Sequence, residues 1–288
     1  EKTASLTTLE YAENPSFLSK VITVNDRKIG YYVYNLFAGG PTSESTVYDD
    51  QVDQVFADFK SQGITDLVLD LRFNSGGAET SARNLASLIG KDVNNTKIFA
   101  KREYNEQVKQ EILKDPDLGA GFLTTKFSSE SANVGSLLNG GRLYVLTSSR
   151  TASASELVIN SLKPYMEVLT IGDTTYGKNV GSISLYEEND PKNTWGMQPI
   201  VVKVYNSLDQ SDYGTGFVPN IADRDNSLFI YQLGDTREAL LRHAIEHITG
   251  TSTGGRARKA GEEKQIVGHS LDRKRGSYNL SIDLDWKH

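Results

Sequence analysis

Not one of the 288 residues is cysteine, which excludes disulfides and thiol catalysis and leaves the redox character of the compartment open. Histidine is scarce: His243, His247, His269 and His288 are the four. All lie late in the chain, so a Ser-His-Asp arrangement has no local support around any serine turn. No run of about 18 apolar residues could span a bilayer, and residues 1–20 carry neither an apolar h-region nor a small-residue cleavage site. The chain reads as not membrane-spanning and as having no signal sequence of its own. Positive charge is not massed either. The net charge is −6 and the pI near 5.4, with basic residues scattered through residues 1–250, which argues against a nucleic-acid partner.

What is present is enough apolar material, 38% of residues, to bury a sizeable core of one large domain or two smaller ones. β-rich apolar runs alternate with helical patterns, the signature of an α/β body. Residues 28–37 (KIGYYVYNLF) predict a strand, and residues 49–62 a helix with Val52, Val55, Phe56 and Phe59 on one face. Residues 64–71 predict a short buried strand that feeds Asn74-Ser75-Gly76-Gly77, after which residues 80–89 are helical. A third strand over 142–147 runs through a Ser/Thr turn into a helix over 154–162, and a fourth follows at 168–172. These strand–turn–helix units place their turns at the C-terminal ends of strands, where α/β proteins build their sites. Residues 103–139 are polar and only partly periodic, and read as an insertion with a helix near 105–113. Residues 183–205 look like a β-ribbon, and residues 235–248 like an amphipathic helix. From Thr249 the chain is Gly/Ser/Thr-rich and then basic, without a core pattern until 278–286. There is no internal repeat.

Four stretches carry chemistry. In Asp70-Leu71-Arg72-Phe73-Asn74-Ser75-Gly76-Gly77 the paired glycines permit positive φ and bare N–H groups, as an oxyanion hole requires, or simply turn the chain from strand to helix. In Thr151-Ala152-Ser153-Ala154-Ser155-Glu156 a serine sits on the turn that opens a helix, with the first N–H groups, Ala154 foremost, free to bind an oxyanion. The same spacing of Ser153 and Glu156 is also a capping box, and the two roles are compatible. In Thr174-Thr175-Tyr176-Gly177-Lys178 the lysine is either a solvated turn residue or, if burial lowers its pKa, a general base. The fourth, Tyr213-Gly214-Thr215-Gly216-Phe217-Val218-Pro219-Asn220, is a Gly/Pro turn with no chemistry of its own. Separately, His243-Ala244-Ile245-Glu246-His247 matches the inverted zincin spacing, but only a tail with little core remains to supply a third ligand.

In this order, DLRxNxGG, TASASE, a TxGK turn whose Lys178 follows Ser153 by 25 positions, and GxGxxPN, the stretches resemble the S41 family of C-terminal processing, or tail-specific, proteases over roughly residues 28–221. The resemblance implies a ClpP/crotonase-like core of stacked β-β-α units. It implies Ser153 as nucleophile and Lys178 as general base, with an oxyanion hole from Ala154 and from Gly76 or Gly77. Glu156, Thr175 and Ser182 are candidates for support. No metal or organic cofactor is implied. The implied substrate is an unstructured polypeptide or C-terminal tail, and the implied setting is cell-envelope, periplasmic or secreted.

Three positions depart from the family pattern. Residues 1–27 form a lead-in too short for the PDZ domain that many members carry before the core. Ser182 stands where many members have a Gln four residues after the Lys. Asn220 replaces the usual Asp and reads as structural. The expected organisation is therefore a lead-in at 1–27, a protease core at 28–248 with the insertion at 103–139, and a polar extension at 249–288. A non-catalytic S41-like module that binds a peptide or an apolar ligand is the alternative, against which the retained Ser153 and Lys178 weigh.

Overall fold

The computed structural model describes residues 7, 12–42, 44–187, 192–224, 231–251 and the backbone of 280–281. In chain order, β1 (Ser16–Val24) and β2 (Arg27–Tyr34) precede α1 (Val47–Gln62), β3 (Asp66–Asp70), β4 (Gly77–Ala78) and α2 (Glu79–Ile89). Then come β5 (Ile98–Tyr104), α3 (Glu106–Lys114), β6 (Thr124–Lys126), β7 (Arg142–Thr147), α4 (Ala154–Leu162) and β8 (Glu167–Gly172). β9 (Val180–Ser182), β10 (Leu185–Tyr186), β11 (Gly196–Met197), β12 (Ile200–Tyr205), β13 (Ile221–Ala222), α5 (Ala239–Thr249) and β14 (Leu280–Ser281) follow.

The main sheet has the order β1-β2-β3-β7-β8-β13. β1 pairs antiparallel with β2, and every later neighbour is parallel. A strand presents alternate residues to opposite faces, and both faces here are covered. Tyr32, Tyr34, Leu67, Leu69, Leu143 and Val145 point into a core shared with α1, α2 and α4. Tyr31, Val33, Val68, Tyr144 and Leu146 point the other way, onto Leu240, Leu241, Ala244, Ile245 and Ile248 of α5. Burial on both sides explains why these strands read as continuous apolar runs. The expected α/β class and its strand–turn–helix units are the observed ones.

α1 buries Tyr48, Val52, Phe56 and Phe59. It stops at Gly63, whose φ of 65° closes the helix with a left-handed cap. Within the 103–139 stretch, α3 starts at Asn105, whose side chain accepts from Val108 N at 2.9 Å. Ile112 packs in a small separate cluster with Tyr104 and Val202, whereas Phe127, Val134 and Leu138 join the main core.

A second sheet has the order β4-β14-β9-β12-β5-β6, and β10 pairs with β11 in a short antiparallel ribbon. Of the 278–286 pattern, only residues 280–281 are among the described residues. Among the described residues no helix is long and apolar enough to cross a membrane.

Candidate active site

The parallel strands β3, β7 and β8 lie side by side and end together at Asp70, Thr147 and Gly172. Their outgoing turns are therefore neighbours, although they come from three separate parts of the sequence. The turn after β3 is pinned to the turn after β7 by Ala152 N donating to Asn74 O at 3.3 Å and Ser155 Oγ donating to the same oxygen at 3.1 Å. Thr151 Oγ1 donates to Leu71 O at 2.9 Å. Arg72 fixes the base of this turn. It is buried between Asp70 (2.8 Å) and Glu238 (2.8 Å), the latter capping α5.

Ser153 is the N-cap of α4 and takes φ 59°, ψ −112°, a strained backbone for a non-glycine residue. Its hydroxyl is buried and makes no hydrogen bond, either to Lys178 or to any other described residue. Half of the anticipated capping box is formed, by Ser153 N donating to Glu156 Oε2 at 2.8 Å.

Gly76, at φ 109°, comes so close that a Cβ there would lie 2.7 Å from Ser153 Cβ and 3.1 Å from Ala154 N. The Gly-Gly turn and the start of α4 therefore meet, and only a residue without a side chain fits between them. Gly76 N donates to Asn74 Oδ1 at 2.9 Å. Ala154, the first residue of α4, has no partner for its N–H within the helix. Asn74 belongs to the DLRxNxGG stretch, but the sequence assigns it no role of its own; an Asn two residues before a glycine is the Asx-turn signal for the one it has.

Glu156 joins the third turn to the second. Oε1 accepts from Thr175 Oγ1 at 2.6 Å and from Gly177 N at 2.7 Å; Oε2 accepts from Lys178 N at 2.8 Å as well as from Ser153 N. The carboxylate is fully buried, and burial pushes its pKa up against the downward pull of these four donors. Lys178 is half-buried, and desolvation holds its amine below the ordinary lysine value. Ser182 lies buried on β9.

The Gly214–Gly216 turn backs the lysine turn closely. A Cβ on Gly216 would sit 2.1 Å from Thr175 O, and one on Gly177 would sit 2.6 Å from Gly216 N. Phe217 N donates to Thr175 Oγ1 at 2.7 Å. Asn220 accepts from Thr170 N at 2.9 Å and donates its own N–H to Thr170 O at 2.8 Å, tying this turn to β8.

The two histidines at zincin spacing take separate partners. His243 Nε2 is 2.8 Å from Asp223 Oδ2, and His247 Nδ1 is 3.0 Å from the Tyr144 hydroxyl. With Glu246 and Ile221 they border an open cavity of about 420 Å³ beside α5. No group of three or more His, Asp or Glu among the described residues could hold a metal.

Residues 28–222 match the model of peptidase family S41. The chain is 25% identical over 248 residues to the carboxyl-terminal-processing protease of Picosynechococcus sp., covering 86% of this chain and 51% of that protein. A Bacteroides fragilis structure described as an S41 protease superposes with a TM-score of 0.71 at 30% identity, over 83% of this chain and 59% of that one. A lipoprotein from Streptococcus agalactiae shares the fold at 13% identity and a TM-score of 0.52, over 82% of this chain and 70% of its own. The chain thus spans about half the length of the processing protease it matches.

Proposed function

Given that this chain belongs to peptidase family S41, we propose that it is a serine peptidase that cuts unstructured polypeptides through Ser153 and Lys178. The observation that carries this reading is the Glu156 carboxylate, which fastens the backbone of the serine and the backbone of the lysine to one buried group. A buried hydroxyl without a hydrogen bond is costly to keep for structure alone, and a lysine whose pKa is lowered by desolvation is suited to accept a proton.

In the proposed cycle the Lys178 amine closes on Ser153 Oγ as substrate binds and takes its proton while Oγ attacks the scissile carbonyl. The N–H groups of Gly77 and Ala154 receive the oxyanion; Gly76 keeps the turn close enough, its own N–H being engaged by Asn74. Lys178 then hands its proton to the leaving amine, and water releases the acyl group by the same route. Glu156, Thr175 and Ser182 act as positioning residues. No step calls for a metal or organic cofactor. The family resemblance supports a C-terminal tail as the segment cut and a cell-envelope, periplasmic or secreted setting.

Digestion of a denatured protein by wild type and by Ser153→Ala, with products identified by mass spectrometry, tests the reading. Peptides produced by wild type alone are expected. Equal digestion by both removes Ser153 from the mechanism, and digestion by neither favours a binding module.

A further inference from the structure

The second sheet is continuous only through residues 280–281. β14 lies between β4 and β9 and runs parallel to both, with Leu280 opposite Gly77, and Ser281 opposite Ala78 on one side and Ser182 on the other. On their far sides β9 pairs with β12, and Gly77 is bridged to Phe37. Without 280–281, β4 and β9 would face each other across a gap one strand wide, about 10 Å between their axes.

The walls of that gap are the candidate site. β4 begins at Gly77, and β9 begins two residues after Lys178. Phe37 N donates to Gly76 O at 3.0 Å, and Ala78 N donates to Phe37 O at 2.8 Å. Because successive peptide groups of a strand face opposite sides, the N–H and C=O of Gly77 turn away from Phe37, towards β14. Residues 280–281 therefore cover the face of Gly77 that an incoming acyl group has to reach.

We propose that the slot between β4 and β9 accepts one extended polypeptide strand parallel to β4, and that this chain's own segment around 280–281 is its resident occupant, competing in cis with substrate. This deepens the peptidase reading and rests on it for what the occupant competes against. Strand addition to an open sheet edge draws its affinity from main-chain hydrogen bonds and tolerates many sequences. A short ladder binds weakly in trans, but tethering raises its effective concentration to the millimolar range.

The test uses the full chain with Leu280→Pro and Ser281→Pro together. Proline removes the N–H groups that a strand in mid-sheet must donate, and neither residue belongs to the catalytic machinery. A slot filled about nine-tenths of the time raises the apparent KM about tenfold over an open one. The double variant is therefore expected to show a KM for unfolded protein about tenfold lower, at unchanged kcat. The synthetic peptide KRGSYNLSIDLDW, residues 274–286, is expected to inhibit it competitively. An unchanged KM, or a fall in kcat instead, overturns the proposal.

A binding measurement separates this from the peptidase reading. The same peptide, fluorescently labelled, is titrated into Ser153→Ala with and without the two prolines. Binding only where the prolines vacate the slot supports the occupant even if no form hydrolyses substrate, in which case the peptidase reading alone falls. Ser153-dependent hydrolysis, with KM and peptide binding both indifferent to the prolines, removes the occupant and leaves the peptidase reading standing.

Discussion

Ser153 and Lys178 are fastened to one oxygen: Glu156 Oε2 accepts from the backbone N–H of both, at 2.8 Å each. Moving either turn would leave a buried carboxylate short of a donor, so the relative position of the two residues is set by electrostatics as well as by packing.

Glu156→Gln keeps the size and removes the charge. The amide has a single acceptor oxygen for four donors and turns its own NH2 towards backbone N–H groups. A loss of about 3 kcal/mol in urea denaturation is expected, with activity down by about a hundredfold as the two turns separate. Wild-type stability and turnover in this variant would show that the carboxylate does not hold the site.

The proposed role of Lys178 as base predicts a pH dependence. Its folded pKa is below 10.5, so between that lowered value and 10.5 the unfolded chain binds more protons and stability rises with pH. Lys178→Met should therefore stabilise the fold at pH 7, by an amount that shrinks as the pH approaches 10.5. Wild-type activity should rise through the lowered value. Lys178→Arg should be inactive throughout, because guanidinium keeps its proton. A flat activity profile from pH 6 to 10 would contradict this.

At Ser153 the cost of function is expected to appear as backbone strain. Its φ of 59° and ψ of −112° suit glycine, and such conformations cost on the order of 1–3 kcal/mol in other residues. Ser153→Gly should abolish activity and raise stability by on the order of 1 kcal/mol after the greater entropy of unfolded glycine is deducted. Ser153→Ala should abolish activity without that gain. Denaturation midpoints of the three proteins measure the difference.

Gly76→Ala places a Cβ 2.7 Å from Ser153 Cβ at φ 109°. Displacement of the α4 N-terminus is expected to cost about 2–3 kcal/mol and at least about a hundredfold in activity. Gly63→Ala is the control: at φ 65°, with nothing within 4 Å, it should cost only about 1 kcal/mol and leave activity unchanged.

Asp49 tests the fold away from the chemistry. Burial pushes its carboxyl up to about 6, so its contribution to stability is fully present below the unfolded value near 3.8 and is lost as pH rises through 6. Asp49→Asn should accordingly be more stable than wild type at pH 7.5 and not at pH 4. Urea titrations at the two pH values decide it.

By itself, the sequence determined the elements that carry the site. Strand β7 and helix α4 lie where the apolar runs placed them, at Arg142–Thr147 and Ala154–Leu162, because period and capping are properties of consecutive residues. β5 has no strand signature in the sequence because the charged run Lys101-Arg102-Glu103 separates its buried residues, Phe99 and Ala100 at the start and Tyr104 at the end. Tertiary structure alone decided which groups meet. Glu156 reads locally as half of a capping box, yet three of its four donors come from residues 175–178 on the neighbouring strand end. Gly76 and Gly77 look equivalent in sequence, and the Asn74 side chain makes them different. Residues 278–286 carry a pattern in the sequence, but nothing in it names β4 and β9 as the partners of 280–281. A hydrogen-bond partner is chosen by strand order and register, which bring distant residues together, and no period along the chain encodes that choice.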